Sequence, residues 1–355
     1  MKLSHALLAG AAAMCLTAVA NAQAPVNDRP LTENWAPSEW GPDDKVGSPN
    51  RTTPAMVLRA VGLVKEGMTA TIGKLYQSEV PLFGPRTFTM SIPGTPTGGP
   101  FGANALVYHD EFLSTEIGQV STQFDGPGHI GVNTSEGMFF YNGADPMVEY
   151  ERGAGGRVVG MGRLGVEFVA AKGFVCRGVL LDAVSYKGLN PLPIPDSADS
   201  PGIVTRADVL GMMEAQGLDP IGEGDCVFVY TGHGDIWSNE AWPTMSSEER
   251  AAARAHFTSG EPGYGISACR YFAEQKIMMT GGDTSANDAQ PFGEEGNGFA
   301  VPCHTELQTQ HGIWNLENLD FSPLLKAGVH EFLFAWAPLR IVGATGSPGN
   351  PVVMW

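Results

Sequence analysis

A loop-rich α/β domain is what the sequence predicts, and three observations predict it. Short apolar runs bounded by turn-forming residues recur at 178–183, 225–230 and 276–279, as strands buried on both faces do. Between and around them lie stretches with helix signals, at 205–216 and 246–256. The 46 glycines and 26 prolines among 355 residues ask for many turns and long loops, which excludes a helical bundle.

Taken in order, residues 25–50 are rich in Pro, Asn and Asp and read as an extended arm, a candidate subunit contact. Thr53-Pro54 opens a helix through 55–65, with Met56, Val57, Ala60, Val61 and Val64 near helical spacing. A strand is expected at 69–77, then a long Pro/Gly/Thr-rich loop over 83–105. An alternating strand follows over 113–125 and stops at Gly126-Pro127-Gly128. The 205–216 helix has an apolar face, and 246–256 starts Ser-Ser-Glu-Glu, with acids where a helix N-terminus favours them. Strands at 332–335 and 339–342 and an apolar Val352-Val353 close the chain. No repeat, low-complexity tract or linker divides it, so 25–355 reads as a single domain.

The first 24 residues read differently. Lys2, an Ala-rich apolar stretch at 7–16, and the small-x-small sites Ala20-Asn21-Ala22 and Ala22-Gln23-Ala24 form a cleavable secretory signal peptide over 1–24. The apolar stretch is too short for a good membrane span. A lipoprotein signal centred on Cys15 is the rival, opposed by Met14 and by the apolar run continuing past the cysteine. The expected location is periplasmic or secreted.

Lys+Arg 21 against Asp+Glu 38 leaves a net charge of −17, and no basic cluster interrupts it. Phosphate binding needs a basic face, so a nucleic-acid partner is excluded. Cys176, Cys226, Cys269 and Cys303 form no CxxC pair, which argues against a zinc ribbon or redox dithiol. An exported chain permits disulfides in any of three pairings, but buried, unpaired cysteines are the expectation.

Chemistry concentrates in Gln119-Val-Ser-Thr-Gln123-Phe-Asp125-Gly-Pro-Gly-His129. Strand parity puts Gln119, Gln123 and Asp125 on one face, and the Gly-Pro-Gly turn lets His129 fold back toward them. A carboxylate among oxygen donors suits a metal, and a nearby histidine suits a base. Farther on, Glu317 sits in an apolar run where an unpaired carboxylate would be costly, so a partner is expected. His233, just after a buried strand, is a possible pocket residue. Asp283 reads as structural, and neither Ser121 nor Ser285 has the context of a serine nucleophile.

The segment resembles the HxGTHxDxPxH signature of the metal-dependent cyclase superfamily, which includes kynurenine formamidase and isatin hydrolase. Thr122, Asp125, Pro127 and His129 match it, while Gln119 and Gln123 stand where that family has two metal-binding histidines. This QxxxQxDxxxH variant is similar to the trans-dienelactone hydrolase branch. Trp40-Gly-Pro-Asp-Asp44, Gly47-Ser-Pro-Asn50, Gly224-Asp225, Thr231-Gly232, Glu317-Asn-Leu319, Pro338-Leu339 and Gly346-Ser-Pro348 extend the likeness through most of the chain. The resemblance implies a swivelling β/β/α fold around a β-barrel-like core, in a homo-oligomer. It also implies that Gln119, Gln123, Asp125, His304 and Glu317 hold a metal, with His311 competing with His304. The metal implied is zinc, or manganese for so oxygen-rich a set.

An exported metal-dependent hydrolase is the resulting expectation. It would open a lactone, or a cyclic or formyl amide, of some small-molecule substrate, with His129 as general base. Two rivals remain: a two-metal amidase like kynurenine formamidase, and a periplasmic binding protein that kept the fold and lost the chemistry. Phe101, Phe139, Phe140, Tyr141, Trp237 and Trp314 are candidates for an aromatic pocket.

Overall fold

The structure, a computed structural model, describes residues 24–28 and 34–355. The expected leader, apart from Ala24, lies outside the described residues.

Nine strands form the main sheet. In chain order they are β1 (Thr69–Thr71), β2 (Gln123–Asp125), β3 (Phe174–Asp182), β4 (Cys226–Tyr230), β5 (Met279–Gly282), β6 (Trp314–Glu317), β7 (Glu331–Trp336), β8 (Gly346–Pro348) and β9 (Val352–Met354). Their spatial order is β1-β9-β7-β3-β4-β5-β6-β2-β8. β3 to β6 are parallel, and antiparallel strands extend the sheet on both sides. The sheet curls into a half-barrel, the barrel-like α/β core that the resemblance implies.

The parallel strands are the continuous apolar runs of the sequence. Every residue of β4 is buried, as strands covered on both faces require. Phe124, Phe174, Phe228, Phe332 and Phe334 meet in one core cluster. Helices α1 (Pro54–Val61), α2 (Arg206–Gln216), α3 (Ser247–Phe257) and α4 (Ile266–Glu274) lie outside the sheet strands in sequence. Thr205 with Asp208, and Ser246 with Glu249, form reciprocal capping boxes, so both helices start where their hydroxyls satisfy orphan N–H groups.

Several expectations change. The strand expected over 113–125 is two pieces in different sheets, because a turn intervenes in which Ser121 is left-handed, at φ 56°. Residues 112–115 instead pair with 88–91. Residues 98–101 pair with 106–108, so the expected loop at 83–105 is an arm of β-ribbon. The strand expected at 339–342 is absent: those residues form an irregular turn. Residues 34–50 fold onto their own chain. Asn142 Oδ1 accepts from the Ser38 N–H at 2.7 Å, and Trp314 Nε1 donates to Val46 O at 2.8 Å.

The cysteines are paired, which overturns the expectation of free thiols. Cys176–Cys226 joins neighbouring strands β3 and β4, and Cys269–Cys303 joins α4 to the turn before His304. Loops of these lengths stabilise a native chain by about 2–4 kcal/mol per bridge.

Candidate active site

The pairing of β2 with β6 assembles the site. Glu317 lies opposite Gln123, and Asn315 opposite Asp125, with Leu316 opposite Phe124 between them. Side chains directly across an antiparallel pair share a face, so Phe124 and Leu316 enter the core while Gln123, Asp125, Asn315 and Glu317 share the other face. Gln119 reaches the cluster from the preceding turn, not from the strand as parity implied.

His304 arrives from another direction. It ends a helical turn, Pro302–His304, that continues as a π-helix over Thr305–Gln310, a rare form that is frequent at functional sites. Val301 just before it takes φ 40°, ψ 60°, a costly conformation for a β-branched residue. His304 Nδ1 lies 2.7 Å from Asp288 Oδ2, which turns Nε2 toward Asp125 Oδ2 at 3.3 Å and Glu317 Oε1 at 3.2 Å. One ligand atom from each of Asp125, His304 and Glu317 lies within 4.8 Å of the others, all three residues being buried. His311 stays apart, largely exposed beside Glu306.

The two glutamines meet the carboxylates through their amide N–H groups. Gln119 Nε2 donates to Asp125 Oδ1 at 2.7 Å, and Gln123 Nε2 donates to Glu317 Oε2. In this structure the two glutamines, read from sequence as ligands, turn their amide N–H groups to the Asp125 and Glu317 carboxylates. Asn315 Nδ2 adds a third such bond, to Glu317 Oε1 at 2.8 Å.

Charge is crowded here. Burial works to raise the Asp125 pKa, but the His129 charge and hydrogen bonds with His304 and Gln119 hold it below the usual carboxylate range. Burial and the neighbouring Asp125 charge push Glu317 upward instead. Burial alone would lower His304, yet its hydrogen bonds to Asp125, Asp288 and Glu317 raise it well above an ordinary imidazole. Two buried carboxylates and an imidazole are therefore sharing protons around one point, which a divalent cation there would replace. The donor set fits one: two carboxylate oxygens, and an imidazole nitrogen whose other nitrogen is anchored, as ligating histidines require.

His129 sits at the edge of this cluster. Its N–H bonds Gly126 O at 3.0 Å, closing the Gly-Pro-Gly turn, and its Nε2 lies 3.5 Å from Asp125 Oδ1. Gly126 is required where it is: a Cβ there would fall 2.5 Å from Val166 Cγ1. Burial lowers the His129 pKa, with help from His304 and Arg86 and against Asp125, so the ring is a neutral acceptor near pH 7.

A cleft of ≈ 410 Å³ opens onto these groups. Gln119, Gln123, Asp125, His129, His304 and Glu317 all line it, with Phe83, Ile130, Pro291 and Val301 as its apolar wall. His233 is not among them; it is buried against the Phe257 ring at 4.9 Å. Nor are the six aromatics expected to form a pocket: Tyr141 and Trp314 belong to the core, and Phe101 stacks on Tyr108 in the ribbon. Asp283 accepts from the N–H groups of Thr231 and Gly234, the structural role expected of it.

Sequence reading missed Asp288, Asn315, Glu261 and Arg86. Asp288 had a signal in principle, since a ligating histidine needs a partner on its second nitrogen. Glu261, buried in the cleft wall, accepts from Ser285 N at 2.8 Å and Ala286 N at 2.7 Å, and burial raises its pKa to about 7.

Comparison with known proteins agrees with this architecture. The family model named Cyclase matches residues 3–289, a span that includes Gln119–His129 and ends before His304 and Glu317. A solved structure described as a novel cyclase is 28% identical with a TM-score of 0.72, covering 89% of this chain and 96% of its own. Isatin hydrolase A from Labrenzia aggregata, bound to benzyl benzoate, is 19% identical with a TM-score of 0.51, over 83% of this chain and 95% of that one. Isatin hydrolase A from Ralstonia solanacearum is 18% identical with a TM-score of 0.53, over 85% and 97%. At such identities the isatin hydrolases share the fold. No curated protein matches.

Proposed function

The chain belongs to the Cyclase family, and from that premise we propose that it is a metal-dependent hydrolase that opens a lactone or, as the second choice, a cyclic or formyl amide. The observation that carries the reading is the convergence of Asp125, His304 and Glu317 at a cleft whose edge holds the neutral His129. The fold shared with isatin hydrolases keeps cyclic amides in the substrate panel. The lactone preference rests on the QxxxQxDxxxH likeness to the trans-dienelactone hydrolase branch.

Asp125, His304 and Glu317 would hold one ion, zinc or else manganese. Such an ion supplies Lewis-acid polarisation of a carbonyl and acidifies water. The chain's own groups do the rest. Asp288 keeps the proton of His304 on Nδ1, leaving Nε2 free to ligate. Gln119, Gln123 and Asn315 hold the carboxylates in place. His129 takes the proton of the attacking water at its ring nitrogen and returns it to the oxygen or nitrogen released when the ring bond breaks. One ion per chain distinguishes this reading from a two-metal amidase, and it is supported by the amide N–H groups of Gln119 and Gln123 facing the carboxylates.

We further propose that residues 1–24 are removed on export and that 25–355 act as one domain in the periplasm or outside the cell. Two disulfides support an oxidising compartment. Homo-oligomer formation is part of the same proposal. The ribbon arm exposes Met90, Phe101, Leu106, Val107, Phe112 and Leu113 on its two sides, apolar surface that a second copy would cover.

Metal analysis of purified protein together with a panel of lactones, formamides and cyclic imides tests the function. One tightly held ion per chain and turnover of a lactone are expected. Binding of intact ligand without turnover, in metal-replete protein, contradicts it in favour of a binding protein.

A further inference from the structure

Cys303 stands directly before His304 in sequence, and its sulfur is bonded to Cys269 in the middle of α4. The backbone of the turn has few other ties. Pro302 has no N–H to give, the Cys303 N–H goes to Asp288 Oδ1 at 2.8 Å, and the His304 N–H goes to Val301 O at 3.1 Å. Asp288 and Val301 both lie outside the named helices and strands, so neither bond fastens the turn to a regular element. On one side Val301 sits at φ 40°, and on the other the backbone opens into the π-helix. Backbone in so sparsely populated a conformation persists only where its surroundings over-determine it. Cys269 supplies that constraint. It is fully buried in a core cluster with Met212, Phe272 and Ile277, and the bridge ties the His304 turn to it covalently.

The second bridge is placed differently. Cys176–Cys226 joins β3 to β4, whose register is already set by pairs running from Gly178–Cys226 to Asp182–Tyr230. β5 stands between β4 and the ligand strand β6. That bridge adds stability but aims no ligand.

We propose that Cys269 and Cys303 are positioning residues of the metal centre. Their disulfide holds the His304 imidazole where it shares an ion with Asp125 and Glu317, so the oxidised chain binds that ion more tightly than the reduced one. Metal loading then follows disulfide formation, and a chain whose cysteines are still thiols carries an incomplete centre. This rests on the reading of Asp125, His304 and Glu317 as metal ligands, and it requires no turnover.

Two measurements on the full chain test this. The first compares zinc affinity, by competition with a chromophoric chelator, in wild type, Cys269→Ala/Cys303→Ala and Cys176→Ala/Cys226→Ala. Both double variants melt earlier than wild type. Only the first loses zinc affinity, by at least ~10-fold, as when other groups that orient a ligand are removed. Only in that variant does the visible spectrum of the cobalt-loaded protein change. An equal loss in both, or none in the first, means a purely structural role and overturns the proposal.

The second measurement uses no variant, and it decides the matter if the first double variant does not fold. Wild type is equilibrated in glutathione buffers with and without saturating manganese, a metal that favours oxygen ligands over thiolates. Each protein disulfide reduced converts two glutathiones to one glutathione disulfide, and alkylation with peptide mass spectrometry reads the two bridges separately. Coupling is reciprocal, so manganese favours the Cys269–Cys303 bridge by the factor by which that bridge favours manganese. Its half-reduction point moves at least ~10-fold toward higher reductant, while that of Cys176–Cys226 stays put. Equal shifts in both, or none, overturn the proposal. A wild type that binds neither zinc nor manganese removes the ligand reading, and the positioning role with it. Tight binding that both double variants keep leaves the ligand reading standing and removes only the positioning role.

Discussion

His304 and Asp288 are joined through Nδ1 and Oδ2 at 2.7 Å, and this one contact decides which face the imidazole shows to Asp125 and Glu317. Asp288 also accepts the Cys303 N–H at 2.8 Å, so the same carboxylate fixes both the ring and the turn that presents it. Losing such an anchor typically lowers metal affinity by 10–100-fold. Asp288→Asn, whose side-chain oxygen still serves Cys303, is expected to weaken zinc binding by about that factor while the far-UV spectrum stays native. Competition with a chromophoric chelator measures it; unchanged affinity would show that His304 is not oriented this way.

Metal removal has a second expected consequence. Asp125 and Glu317 are buried and mutually repelling, so an ion that binds only the folded chain stabilises it by mass action. Exhaustive chelation lowers Tm, and added zinc restores it in a concentration-dependent way. In Asp125→Ala the zinc-dependent increment disappears.

Glu261 supplies a pH prediction away from those ligands. Its folded pKa, raised by burial to about 7, exceeds the unfolded value near 4.5, so the folded state holds the proton more tightly. Its contribution to stability is therefore present below pH ~4.5 and lost as pH rises through about 7, a swing of about 3 kcal/mol. Urea unfolding at pH 5 and pH 8 reads it: the difference between the two shrinks in Glu261→Gln, whatever that variant's baseline. An identical pH difference in both proteins would refute the assignment.

Much of this was legible beforehand, for a physical reason. Period-2 alternation put Gln123 and Asp125 on one face whatever the sheet order, and the apolar runs of β3, β4 and β5 had no alternative but burial. The apolar face of 205–216 and the Ser-Ser-Glu-Glu start at Ser246 located two helices to within a residue. Long-range pairing was not legible. Nothing local says that β2 will lie between β6 and β8, so the Asn315–Asp125 opposition and the approach of Asp288 and Arg86 appear only in three dimensions. The disulfides were missed because pairing depends on Cα separations, 6.1 and 5.7 Å here, that spacing in sequence does not encode. The ribbon at 88–115 was missed because its Gly and Pro residues read as loop.

That ribbon gives a prediction about assembly. Phe112 is 66% exposed and Met90 58%. Phe112→Asp with Met90→Lys places charge on both faces of the ribbon, and is expected to shift the protein toward monomer by sedimentation velocity. A monomeric wild type at micromolar concentration would remove the ribbon as a subunit contact.

The most direct test of the central claim, that Asp125, His304 and Glu317 hold a catalytic ion beside His129, is lactone turnover before and after exhaustive chelation. The account predicts that the metal-free protein loses at least ~100-fold in kcat and regains it on addition of one equivalent of zinc or manganese. Full turnover by protein shown to be metal-free would contradict it.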